Sequence, residues 1–144
     1  MIIRNYLPTD NAKVYALETV CFSNEKRSLS VLEKTANLNN FVGLVAEESG
    51  EIVGYVTSTY CLDEAEIITV AVSPNFRKTG VATKLIESLI SSLKSLNVNT
   101  LFLEVRESNL GAISLYEKLG FTKLSVRKNY YNGIENAVNY RLSF

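Results

Sequence analysis

Glu104 and Tyr116, a carboxylate and a phenol, are the candidates for proton transfer in a 144-residue chain that has no histidine. That absence excludes serine–histidine–aspartate and cysteine–histidine mechanisms, and with them histidine metal sites. Proton movement falls to Asp, Glu, Lys, Tyr, Cys, a terminus or water. Glu104 lies near the end of an otherwise apolar run, Leu101 to Val105. Partial burial there is expected to raise a carboxyl above its ordinary value of about 4.3, as a base that deprotonates an ammonium requires. Tyr116 follows on the next helical stretch; a phenol near its ordinary value of about 10 keeps its proton and can give it to a leaving group. The residues alone leave a second reading open, in which Glu104 is a rim carboxylate and Tyr116 a packing aromatic.

The segment Val70-Ala71-Val72-Ser73-Pro74-Asn75-Phe76-Arg77-Lys78-Thr79-Gly80-Val81-Ala82 offers a different chemistry. It ends a strand and opens a helix, and a helix start leaves several backbone N–H groups without partners. With the positive end of the helix dipole, those donors suit a phosphate. Gly80 permits close backbone approach, Ala82 keeps the first turn small, and Arg77 and Lys78 add positive charge. A basic loop that only caps a core helix fits the same residues.

These positions need elements to hold them. Met1 to Tyr6 reads as a short strand, ended by Pro8, Thr9 and Asp10, which supply an N-cap candidate. Val14, Leu17 and Cys21 form an apolar stripe on a first helix, and a second runs from Ser28 or Ser30 to Ala36. Phe41–Ala46 and Ile52–Tyr60 are strands around the turn signal Glu47-Glu48-Ser49-Gly50-Glu51. Ala65–Val72 is a further strand. Alternation on it puts Glu66, Ile68, Val70 and Val72 on one face, which makes Glu66 a competing base. After Gly80, the residues Val81, Leu85, Ile86, Leu89, Ile90, Leu93 and Leu96 form a one-sided helical stripe that Asn97 ends. Thr100–Val105 is a strand. Asn109 caps a helix with Ala112, Leu115 and Leu119 inward, and Gly120 takes its left-handed end. Phe121–Val126 and Ala137–Leu142 close an antiparallel pair across a long loop containing Asn132-Gly133.

The order is β-α-α-β-β-β-α-β-α-β-β, one α/β domain over residues 1–144. Its sheet is mixed and mostly antiparallel, with six or seven strands and about four helices. Fifteen basic residues balance fifteen acidic ones, so no global field draws the chain to nucleic acid or to a membrane surface. No apolar run approaches the roughly 20 residues of a membrane span. Cys21 and Cys61, each among apolar neighbours, read as reduced, buried small hydrophobes of a cytoplasmic protein. Glu25-Lys26-Arg27, Lys123 and Lys128 read as solvated surface.

Arg77-x-x-Gly80-x-Ala82 after Val70-Ala71-Val72, together with the element order, resembles the GCN5-related N-acetyltransferases (GNAT). The resemblance implies splayed central parallel strands and acetyl-CoA as cosubstrate, with no metal. It places the pyrophosphate on Arg77, Lys78, Thr79, Gly80, Val81 and Ala82, and the pantetheine arm along Val70, Ala71 and Val72. Leu103-Glu104-Val105-Arg106-x-Ser108-Asn109, then Ala112-Ile113-x-Leu115-Tyr116-x-x-Leu119-Gly120-Phe121, then Arg127-Lys128-Asn129-Tyr130-Tyr131, narrows the likeness. This pattern is similar to the RimI-type ribosomal-protein-alanine N-acetyltransferases, which modify the N-terminal alanine of small-subunit ribosomal protein eighteen.

That likeness implies Glu104 as general base, Tyr116 as general acid, Asn109 on the CoA arm, and Tyr130 and Tyr131 near the acceptor peptide. Glu66 remains the alternative base, on the acceptor side. The acceptor is then a ribosomal protein N-terminus, met in the cytoplasm by a monomer or weak dimer. The chain departs from the pattern in two places. Phe22 is followed by Ser23 and Asn24 where Phe-Pro-Trp is frequent, and Tyr140 stands where an aliphatic residue or methionine is usual. Both departures lie toward the acceptor, so another N-terminus, a lysine or a small amine is the alternative acceptor. A CoA-binding regulatory module without catalysis is the alternative outside enzymes.

Overall fold

The computed structural model describes residues 1–23, 26–131 and 133–144. Strands β1 (Ile2–Asn5), β2 (Phe41–Glu48), β3 (Glu51–Cys61), β4 (Glu64–Val72), β5 (Thr100–Arg106), β6 (Thr122–Tyr131) and β7 (Glu135–Ser143) form one sheet. Helices α1 (Asn11–Phe22), α2 (Leu29–Ala36), α3 (Val81–Ser95) and α4 (Leu110–Lys118) cover it. The strand order is β1-β2-β3-β4-β5-β7-β6. Every neighbouring pair is antiparallel except β4 and β5, which run parallel around the α3 crossover. Among the described residues no helix is long and apolar enough to cross a membrane.

Local chemistry accounts for the ends of these elements. Ser49 and Gly50 both take positive φ, 51° and 82°, which the tight β2–β3 hairpin demands. Ser28 caps α2 by accepting the N–H of Val31, and Asn109 caps α4 by accepting that of Ala112. Gly120, at φ 99°, ends α4 in the left-handed region.

The sheet separates two cores. On one face α3 and α4 pack Leu85, Ile86, Leu89, Leu93 and Tyr116 against Ala65, Ile67, Leu101, Leu103 and Val105. On the other, α1 and α2 bring Val14, Leu17 and Leu32 onto Val45, Tyr55 and Ala71. At Gly54 the first turns of α3 come close to the sheet. A Cβ built there lies 3.0 Å from Val81 Cγ1, 3.2 Å from the Ala71 carbonyl oxygen and 3.2 Å from Leu85 Cδ1.

Several expectations need correction. β6 continues to Tyr131 and β7 begins at Glu135, so the closing pair has a short connection rather than a long loop; Asn132 lies outside the described residues. Leu96 is exposed rather than buried, because α3 ends at Ser95 and the chain turns away through Asn97 at φ 65°. Cys61 is exposed at the end of β3, beside the turn residue Leu62; Cys21 is half-buried. Arg27 is no solvated surface residue, as its contacts below show, and Glu25 lies outside the described residues.

The expected face of β4 is also overturned. Thr57 pairs with Thr69 and Ser58 with Ile67, so Ile68 is an extra residue in β4. A bulge of this kind bends the strand and flips its alternation. Ala65 and Ile67 therefore share the α3 face with Val70 and Val72, while Glu66 points to the other side.

Gly54→Val is expected to cost about 1–3 kcal/mol, since the added methyls must displace the first turns of α3. Denaturant unfolding measures this as a lowered midpoint with an unchanged slope.

Candidate active site

β4 and β5 are joined over only three residue pairs: Glu64 with Thr100, Ala65 with Leu101 and Glu66 with Phe102. Beyond them the strands part, although each stays paired on its outer side, β4 to β3 as far as Val72 and β5 to β7 as far as Arg106. The wedge between them is a cleft of about 290 Å³. Consecutive residues of both strands line it, Ile67 to Val70 and Leu103 to Arg106, so it opens on two strand edges.

Tyr116 reaches the cleft from the α4 face and is packed edge-to-face on Phe121, with centroids 5.7 Å apart. Burial, with a smaller contribution from Tyr131, pushes its phenol up to about 12, so it holds its proton throughout the neutral range. Glu104 alternates with Leu103 and Val105, both buried with Tyr116, and so projects from the opposite face of β5. The base and acid candidates thus meet one gap from two sides of the sheet.

The two oxygens of Glu104 differ. Oε1 accepts a hydrogen bond from Arg127 Nη1 at 2.7 Å. Oε2 is buried and has no hydrogen-bond partner among the described residues. The expectation for Glu104 considered burial alone and omitted this cation.

Of the other positions singled out in the sequence, Val70, Asn109 and Tyr131 line the cleft. Ala71 packs toward α1, Val72 toward α3. Arg77 to Ala82 form the turn into α3, adjoining the end of β4. Gly80 caps that helix at φ 86° with no side chain bonded to its first turn, and a Cβ there meets nothing within 4 Å. The opening amides of a 15-residue helix are therefore left for an external anion. Arg77 folds back, its Nε donating to the Val72 carbonyl at 3.1 Å. Tyr130 is half exposed and lies under Arg127, whose guanidinium carbon is 4.0 Å from its ring centroid. Glu66 is not brought in. It sits at the closed end of the wedge, in a shallow depression with Asn40, Thr59, Tyr60 and Phe102.

Sequence reasoning missed the wall on the α1 side, formed by Glu18, Phe22 and Arg27. Glu18 is 1 % exposed. Its Oε2 accepts the Arg27 backbone N–H at 2.9 Å; its Oε1 accepts Arg27 Nη2 at 2.9 Å and the Tyr55 hydroxyl at 2.8 Å. A signal was present: Val14, Leu17, Glu18 and Cys21 follow i, i+3, i+4, i+7, which puts a carboxylate inside the apolar stripe of α1. Opposite, Arg106 stacks on Tyr131 at 4.3 Å and pairs with Glu135 at 3.2 Å. Hydrogen bonds from the hydroxyl and backbone N–H of Ser108, with the Arg106 guanidinium, hold Glu135 below the usual carboxylate range.

The wedge between the two parallel strands is thus flanked by a carboxylate, a phenol and an open helix start. Residues 11–121 match the family model described as the acetyltransferase (GNAT) family, and the chain belongs to that family as an N-acetyltransferase. It is 38 % identical over 112 residues to the ribosomal protein bS18-alanine N-acetyltransferase of Escherichia coli strain K12, covering 74 % of this chain and 76 % of that protein. It is 42 % identical over 102 residues to the same-named protein of Haemophilus influenzae, covering 68 % and 69 %. The crystal structure of the ribosomal-protein-S18-alanine N-acetyltransferase from Escherichia coli superposes with a TM-score of 0.91 at 31 % identity, covering 99 % of this chain and 92 % of that one.

Glu18→Ala is expected to destabilise the fold by about 3–5 kcal/mol, because it strands Arg27 and the buried Tyr55 hydroxyl. A double-mutant cycle of Glu18→Gln with Arg27→Met, read by denaturant unfolding, should return a coupling of about 1–3 kcal/mol.

Proposed function

We propose that this enzyme transfers acetyl from acetyl-CoA to the α-amino group of a protein N-terminus, with the alanine of ribosomal protein bS18 as acceptor. The observation that carries this reading is the pairing of a buried, unpartnered Glu104 Oε2 with a protonated Tyr116 across one gap. The names of the relatives at 38 % and 42 % identity support the acceptor. A ribosomal acceptor makes the cytoplasm the place of reaction.

In this reading the freed edge of β4 at Val70, Ala71 and Val72 holds the amide-bearing arm of the cosubstrate. The amides from Arg77 to Ala82 take its pyrophosphate, with Asn109 on the other side of the cleft. Neighbours of the same fold crystallised with coenzyme A and with acetyl coenzyme A agree with a nucleotide thioester as the donor. Glu104 removes a proton from the acceptor ammonium, whose ordinary value is about 7.7–8.0. The nitrogen attacks the thioester carbonyl, and the carbon–sulfur bond breaks as Tyr116 gives its proton to the sulfur. The second proton shed by the nitrogen passes to solvent water, which also returns Glu104 and Tyr116 to their resting states. No enzyme-bound acyl group is needed, which suits a site whose lining includes no cysteine. Tyr130 and Tyr131, with Phe22 and Arg27, stand on the acceptor side.

Tyr116→Phe keeps the ring packed on Phe121 and is expected to lower kcat by about 10²–10⁴-fold, with acetyl-CoA affinity within about twofold of the parent. Stopped-turnover kinetics with equilibrium binding checks this; unchanged kcat removes the tyrosine from the scheme.

The acceptor is tested with an Ala-starting bS18 peptide against the same peptide blocked at its N-terminus. Acetylation should disappear on blocking. Persistence assigns the activity to lysine, and transfer to free amines alone assigns it to a small molecule. Tight acetyl-CoA binding without transfer to any acceptor supports the regulatory module.

A further inference from the structure

Arg127 reaches Glu104 across an intervening strand, and the register shows how. Ala137 of β7 is the partner of both Arg106 on β5 and Arg127 on β6. Residues directly opposite in antiparallel pairs share a face, so Arg106, Ala137 and Arg127 lie in one row. Glu104 stands in the next row on that face, opposite Asn139. The middle residue of the first row is a fully buried alanine, low enough for a long side chain to pass over it. The end of β6 is shaped to aim that side chain. Between Arg127 and Tyr131 the register slips: three residues oppose Asn136 alone, Asn129 adopts φ 52°, and its N–H is held by Asn136 Oδ1 at 2.9 Å. The slip brings Tyr130 beneath the guanidinium.

From this arrangement we infer that Arg127 is the positioning residue of the base: it fixes Oε1 of Glu104, so that Oε2 stays turned into the cleft as a carboxylate. The inference rests on Glu104 being the base, and the experiment separates the two. Among the other charged groups on its face, Arg141 stands opposite Phe102, one row from Glu104 on the side away from Arg127. On its own face Arg106 is engaged by Glu135 and Tyr131. Across the cleft Arg27 is paired with Glu18. Tyr116 on α4 is neutral, and β4 lines the cleft with Ile67, Ile68, Thr69 and Val70, none of them ionisable. Arg127 is the cation bonded to the carboxylate itself.

The test compares pH profiles of kcat/KM for the acceptor peptide in the parent, Arg127→Ala, Arg127→Lys and Glu104→Gln. Arg127→Ala should lower kcat/KM about tenfold at neutral pH. The fall should sit in kcat, with KM for the peptide within about twofold of the parent, since the reacting oxygen loses its orientation while the peptide keeps its contacts. Arg127→Lys should restore most of the loss. Acetyl-CoA affinity should stay within about twofold, and the thermal midpoint should hardly change, because an exposed ion pair contributes little to folding. If Arg127→Ala does not fold, Arg127→Gln carries the same comparison. Parental kcat and kcat/KM in the neutral variant overturn the role of Arg127. An acidic limb that persists in Glu104→Gln overturns the base itself, and the positioning role with it.

Discussion

The parallel pairing of β4 and β5 stops after three residues, and the site exists because it stops there. Backbone N–H and C=O groups are costly to leave unpaired away from water, so two parallel strands ordinarily zip to the end. Here the bulge at Ile68 bends β4 just past the last pair, Glu66 with Phe102. Neither strand frays, because β3 holds β4 on its outer side as far as Val72 and β7 holds β5 as far as Arg106. The result is a rigid wedge with two unpaired edges facing solvent. An extended molecule with amides of its own can complete those edges, which no compact hydrophobic ligand could do. Gly54 serves the same end from beneath, letting the first turns of α3 settle against β3 beside the end of β4.

Charge in and around this wedge comes in matched pairs. Glu18 holds Arg27, Glu104 holds Arg127, and Glu135 holds Arg106. The pairs differ in what they do for the fold. Glu18 is buried and bonded on several sides, so removing one partner leaves an uncompensated group inside the protein. The other two are open to water and add little stability; their effect is on direction, fixing where a carboxylate or guanidinium points. Pairing also keeps the field in the cleft modest, in line with a chain of zero formal charge. In the proposed reading, contacts with Phe22, Arg27, Tyr130 and Tyr131 select the acceptor.

Much of this was legible in the sequence, and the exceptions share one physical cause. Periodicity and local end signals located the seven strands and four helices described, the Asn109 cap and the left-handed Gly120; the start of α2 was left between Ser28 and Ser30. Glu104, Asn109 and Tyr116 fall on the cleft because strand and helix ends are set by local signals. What failed was register. Nothing in Glu66-Ile67-Ile68-Thr69 announces an extra residue opposite Thr57 and Ser58, yet that residue turns Glu66 away from the face shared by Val70 and Val72. The slip before Tyr131 was equally silent, and with it the reach of Arg127 to Glu104. Arg27 read as surface because its partner lies nine positions away, on another element. Glu18 was the exception that could have been caught, since a carboxylate within the α1 stripe demands a partner.

The absence of histidine has a structural counterpart in how proton work is divided. One imidazole can act as base and then as acid because its ordinary value lies near neutrality. An ordinary carboxylate and an ordinary phenol each rest in one protonation state near neutral pH, so in the proposed reaction two groups share the work. Placing them on opposite faces of the sheet solves the geometric half of that problem. In the proposed reaction the amine loses its proton on the face where Glu104 projects, while the sulfur gains one on the face where Tyr116 is buried. Burial acts in the required direction for the phenol, holding its proton until a thiolate forms beside it. Glu104 needs a fixed direction, and the structure bonds a guanidinium to its Oε1, carried over Ala137 from the far strand of the sheet. The short parallel pairing makes the gap; what makes the gap directional is that one face holds a proton donor and the other an anion paired to a cation.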